Sequence, residues 1–236
     1  MTEIRQTMKL PETLIHLLSD VLDAASDYYE AEQALSQAQH EGIWAQEAAT
    51  AKRKAAILAV AIDGLSDRAS RELGIRIERV RSSVSALCIL PGTQTVRPSA
   101  FERVNSVANA YKHFVLSKQS HVISSYDDVL VVASGYGSDG YGVGKFGGVE
   151  VLVREKSGER WKFLGDVPAV INGWIHFLQG KGVALPSDPI EVCGLRVHPQ
   201  SVADRGADNV TDDVTIRPQS TVTEPHRSNG GNSEVP

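Results

Sequence analysis

The feature that most constrains this fold is a change of period near Ser124. Ahead of it, apolar residues recur every three or four positions; after it they alternate, so helices give way to strands. The junction is the stretch SAFERVNSVANAYKHF, Ser99 to Phe114. It reads as one amphipathic helix with Phe101, Val104, Ala108, Tyr111 and Val115 on its apolar face. Ser99 and Glu102 stand at the spacing of a capping box, each side chain positioned to take the other's backbone N–H.

Two longer helices precede it. Leu14, Leu17, Leu18, Val21, Leu22, Ala25 and Tyr28 form a stripe within 11–35, with Pro11 suited to the first turn. A second stripe, Trp44, Ala48, Ala51, Ala55, Leu58 and Ile62, carries alanines on its seam and predicts close antiparallel packing on the first. Gly42 separates the two. A third helical region, 66–90, is arginine-rich, interrupted near Gly74 and ended by Pro91-Gly92.

Strands are expected at Val129 to Ala133, Val149 to Arg154 and Arg160 to Leu164. A two-residue turn at Ser157-Gly158 would set Arg154 opposite Trp161, Leu152 opposite Phe163 and Val151 opposite Leu164. Asp166 then caps a closing helix whose buried stripe is Val167, Ile171, Trp174, Ile175 and Leu178. The fold class is α+β, mainly α: a helical bundle with a small three-stranded antiparallel meander, about 126–165, inserted before the closing helix. A single domain covers 1–186. The remainder, 187–236, lacks aromatic residues and periodic apolar surface, so it reads as a disordered tail.

Composition narrows the function classes. A net charge of −5 argues against a surface built throughout for nucleic acid, though not against a local basic patch. No stretch reaches the roughly 20 apolar residues of a membrane span, so no membrane partner is expected. The start, MTEIRQTMKLPETLIHLL, lacks the pattern of a secretory leader, and with two unpaired-looking cysteines it predicts a cytoplasmic protein. Neither metal nor cofactor is called for by any spacing of His, Cys, Asp and Glu.

Three groups of residues bear on activity. The glycine string Gly135 to Gly144 matches G-x-G-x-x-G but leads into a strand, so it is no dinucleotide loop, and no H-R-D or D-F-G follows to make it a kinase loop. It remains a long loop offering Tyr136, Tyr141, Lys145 and Phe146 to a ligand or partner. The segment 65–87 resembles a helix-turn-helix around Gly74, with Arg68, Arg71, Arg76, Arg79 and Arg81 as phosphate contacts, although Ser83 stands where that motif is usually apolar. Asn109, Lys112 and His113, with Asn105, share one polar edge of the fourth helix. There His113 could serve as a base and Lys112 and Asn109 hold a phosphate, or the group could simply tie the helix end to the following chain.

The string Val107-Ala-Asn109-Ala-Tyr-Lys112-His113-Phe resembles the ANxxKH helix end of uncharacterised bacterial proteins with a HEPN-like or abortive-infection-like helical bundle. The resemblance spans roughly 11–180. It implies a helical core with a β insertion and RNA-directed or defence-related roles. Ribonuclease members of that group carry an arginine shortly before the histidine, whereas here the arginine upstream of His113 is Arg103, more than two turns back. The reading from sequence is therefore a binding or accessory protein with an unknown protein partner, linked to defence or mobile elements. Its rivals are a metal-independent ribonuclease or phosphate-directed hydrolase using His113, and a DNA-binding regulator. A homodimer is compatible with each.

Overall fold

Leu14, Leu17 and Val21 drive the first helix into the core, and the chain there runs without a break from Pro11 to Glu41. In the computed structural model, which describes residues 10–42, 44–113, 115–116, 121–133 and 149–199, that run comprises α1 (Pro11–His16), a π-helical turn (Leu17–Val21) and α2 (Leu22–Glu41). The widened turn follows His16, whose ring bridges the Asp20 carboxylate (2.5 Å) and the Ala61 carbonyl (2.8 Å). Gly42, in the left-handed region, ends α2. α3 (Ala45–Leu73) returns along it, its alanine seam Ala51, Ala55 and Ala59 fully buried. The third helical region is thus no separate helix at its start: α3 continues to Leu73, Gly74 caps it, and α4 (Ile77–Ser85) follows.

α5 (Ala100–His113) lies against α3. Its face matches the expected stripe at Phe101, Val104 and Ala108, but Tyr111 and Val115 emerge at the surface. The capping box is not made. Ser99 takes a left-handed φ of 56°, and Glu102 instead accepts the Ser85 hydroxyl at 2.7 Å.

The sheet is antiparallel, β1 (Val129–Ala133), β2 (Val149–Arg154) and β3 (Arg160–Lys162), in that spatial order. The β2–β3 register differs from the expected one by a residue: Val153 faces Trp161 and Arg154 faces Arg160. The cause is the turn. Glu155 N–H donates to the Glu159 carbonyl, leaving a three-residue loop with Gly158 at φ 91°, the geometry of a hairpin with a glycine bulge. β3 also stops at Lys162, because Phe163 opens α6 (Phe163–Gly180) and packs edge-on against Tyr28 at 5.4 Å. Beyond the reach of this short strand, the Val151 N–H is taken by the Glu32 carboxylate from α2 at 3.1 Å.

α6 is central rather than closing. Its stripe Val167, Ile171, Trp174, Ile175 and Leu178 is fully buried, and so are most residues around it, as in a helix surrounded on all sides. At Gly173 a β-carbon would come within 3.1 Å of the Val84 carbonyl, so glycine permits the close approach of α4.

The described residues belong to one compact unit, and that unit runs past the expected boundary at 186. β4 (Ile190–Val192) and β5 (Leu195–Val197) form a hairpin, with Val192 and Val197 buried against the core. Residues 187–199 are therefore not part of a disordered tail. The turn residues Cys193 and Gly194 both have positive φ, 49° and 77°, as tight two-residue hairpins require.

Candidate functional site

Asp63 sits mid-way along α3, 4% exposed, where an ionised carboxylate needs partners. It has three. Arg81 of α4 donates to Oδ1 at 2.8 Å, Asn105 of α5 donates to the same oxygen at 2.6 Å, and Lys112 of α5 donates to Oδ2 at 2.9 Å. Asn109 sits one turn beyond Asn105 and donates its amide to the Asn105 carbonyl at 2.8 Å. The polar edge of α5 is thus drawn onto one carboxylate, and the α3, α4 and α5 helices meet there. Arg81 and Lys112 keep 31% and 40% of their side chains exposed.

His113 does not join this group. It is exposed at the last residue of α5, and among the described residues its ring makes no hydrogen bond or ion pair. The helix end is continued by the Val115 N–H, which donates to the His113 backbone carbonyl at 2.7 Å.

The five arginines of the helix-turn-helix segment divide. Arg68 donates back to the Gly64 carbonyl at 3.1 Å, and Arg81 is committed to Asp63. Arg71, Arg76 and Arg79 are exposed around the Gly74 turn, two of them in exposed ion pairs, Arg71 with Glu12 at 3.9 Å and Arg76 with Glu78 at 3.4 Å. Arg76, Arg79, Glu78, Ile75 and Gly74 line a shallow surface depression. Val80 and Val84 turn the other face of α4 into the core. The loop residues Tyr136, Tyr141, Lys145 and Phe146 lie outside the described residues. The segment 134–148 that contains them departs from the paired residues Ala133 and Val149 at the end of the β1–β2 ladder.

A second polar centre was not legible as a site. Arg103, on the inner side of α5, is fully buried and makes a two-pronged contact with the fully buried Asp166 of α6, at 2.7 and 2.9 Å. It also donates to Glu155 at 2.8 Å and to the Pro98 carbonyl at 2.9 Å. Arg97 donates to Asp166 at 2.7 Å, and both guanidinium groups lie over the Trp161 ring, at 4.2 Å for Arg103 and 5.2 Å for Arg97. Burial works against the Arg103 charge, but Asp166 and Glu155 outweigh it and hold the group above its ordinary pKa. Asp166 is thus an interior anchor rather than the cap of α6.

Neither cysteine is disposed to react: burial pushes both the Cys88 and the Cys193 thiol up to about 12. Among the described residues no three His, Cys, Asp or Glu side chains gather to hold a metal ion, and no helix is long and apolar enough to cross a membrane. No family model matches the chain, and neither a curated protein nor a solved structure matches it.

Proposed function

We propose that this is a cytoplasmic binding or accessory protein that offers the 134–148 segment to a protein partner, rather than a hydrolase. The observation carrying the reading is the fate of the α5 edge. His113, the residue a hydrolase would use as its base, stands apart in solvent, while Lys112 is tied to Asp63 and Asn109 to the Asn105 carbonyl, so the edge is not assembled around the histidine. A general base needs a second group within hydrogen-bond reach to orient it or share its proton, and the described residues put none beside His113. The paired end of the β1–β2 ladder gives the tyrosine-bearing segment a fixed point of departure. The ANxxKH-like helix end is what links this reading to a role in defence or with mobile elements.

A cleavage assay on single-stranded RNA without added metal tests it, wild type beside His113→Ala. We expect no turnover from either. Turnover by the wild type that is lost in a folded His113→Ala protein would make this an enzyme.

The exposed Arg71, Arg76 and Arg79 at the Gly74 turn favour a second reading, a DNA-binding regulator. Gel-shift titration against duplex DNA, with each arginine changed to glutamine, separates it from the first: phosphate contacts would be lost one salt-sensitive step at a time.

A further inference from the structure

A tie between helices at Asp63 would be neutral with one cation, and the site has two. Asp63 accepts from Arg81, Asn105 and Lys112, which leaves its own charge satisfied and one positive charge in surplus among these contacts. Neither cation is used up. Lys112 carries three N–H groups and commits one of them; Arg81 commits one terminal nitrogen, and its other terminal nitrogen makes no hydrogen bond among the described residues. Both side chains stay partly exposed, in contrast to the covered pair at Asp166, although the Arg81 Nε is buried and without a partner among the described residues. Of the nearby acids, Glu102 accepts the Ser85 hydroxyl on one oxygen, and Asp67, one turn along α3, takes no part in these contacts. Glu78, three residues before Arg81 on α4, is exposed and acts on Arg81 only through solvent.

We infer that Arg81 and Lys112 jointly hold a phosphate group, free or as a phosphate monoester, on the solvent side of the α3–α4–α5 junction, with Asp63 as the buried counterion that keeps both cations aimed. The two residues supply complementary chemistry: a planar guanidinium that can fork onto two oxygens and a compact ammonium beside it. A carboxylate behind them fixes their side chains in advance, which reduces the ordering cost of binding. Asn105 completes the support by taking the carboxylate from the third direction. The inference is one of binding: both oxygens of the Asp63 carboxylate already accept hydrogen bonds from Arg81, Asn105 and Lys112. It is independent of the 134–148 segment and stands or falls without it.

Calorimetric titration of the full chain with inorganic phosphate, and separately with phenyl phosphate, tests the inference against sodium chloride at matched ionic strength. Saturable binding by the wild type is expected, weakened about tenfold or more by Lys112→Gln and by Arg81→Gln, since each removes a charge-assisted contact. Lys112→Arg should lose less affinity than Lys112→Gln, because the positive charge persists even though the compact ammonium does not. Phenyl phosphate binding as well as inorganic phosphate would identify a monoester site; inorganic phosphate alone would restrict it to the free ion. Lys112 is half-exposed, so its variants should fold, and far-UV and near-UV dichroism check that they do. Heats equal to those of chloride, or saturable binding that survives both glutamine variants unchanged, overturn the inference.

Discussion

Asp63 and Asp166 are each held by two cations, yet they do different work. Around Asp166 everything is covered: Arg103 is buried, Arg97 nearly so, and an indole lies under both guanidinium groups. Around Asp63 the carboxylate is covered while its cations are not. The first arrangement fixes α5, α6 and β3 into one core and can respond to nothing outside it. The second fixes three helices and still presents charge to water. Burial of the cations, and not their number, separates an internal strut from a surface able to recognise something.

The largest effect that would sharpen this contrast is expected at Asp166. Asp166→Asn leaves the buried Arg103 with Glu155 alone and Arg97 without its carboxylate, and should cost about 3–5 kcal/mol in denaturant unfolding, enough to prevent folding in a marginal background. A smaller loss than at Asp63 would break the comparison. Next comes the hairpin beyond α6. Truncation after Ser187 strips Val192 and Val197 from the core and should lower stability by several kcal/mol, roughly 1.5–3 per buried valine. Truncation after Val202 leaves the hairpin intact, and a loss above about 1 kcal/mol there would show that the remaining tail is part of the fold. Asp63→Asn should then cost about 1.5–3 kcal/mol, because amide replacement weakens hydrogen bonds to charged partners that water can partly re-solvate.

The smallest effect is expected at a third carboxylate, nearer the surface. Burial pushes the Asp128 carboxyl up, but hydrogen bonds from Arg154 and from the Ser124 and Ser125 N–H groups outweigh it, so its pKa is held below the ordinary value. Its stabilising contribution is therefore present above about pH 4 and is lost as pH falls through the depressed folded value. Melting curves between pH 6 and pH 2 should fall less steeply at the acid end for Asp128→Asn than for the wild type. Identical slopes would mean that the Arg154 contact adds nothing.

How far the sequence revealed this depended on the range over which each signal acts. The α3 seam, the α6 stripe and strands β1 and β2 were readable because apolar period is local and each residue's role repeats along its own element. The polar edge at Asn105, Asn109 and Lys112 was readable for the same reason, but its purpose was not. Asp63 is one acid in an alanine-rich helix, and Arg81, Asn105 and Lys112 reach it from 18, 42 and 49 positions away. Asp166 looked like a cap because it begins an apolar run, while its partners Arg97 and Arg103 lie 69 and 63 positions back. The β3 register turned on whether the loop after Glu155 held two residues or three, which Ser157-Gly158 alone does not decide. The β4–β5 hairpin did carry a signal: the alternation Ile190-Glu191-Val192 and Leu195-Arg196-Val197 around Cys193-Gly194. The signal is weak because an uncommon turn pair, with cysteine at positive φ, stands where asparagine or glycine is the stronger cue.

The Glu32 carboxylate that takes the Val151 N–H has a consequence for cooperativity. It stands where a longer β3 would have continued, and the same Oε1 also accepts the Tyr28 hydroxyl at 2.6 Å. A sheet margin closed this way resists fraying on its own: freeing that amide means moving the fully buried Glu32 carboxylate, whose same oxygen holds Tyr28, itself packed on Phe163. Hydrogen exchange at Val151 should accordingly report global opening, with protection equal to that of the α3 core, rather than the faster local opening usual at the margin of a three-stranded sheet. The helical layer and the strands then unfold as one transition, and the amide of a single valine is where that unity can be timed.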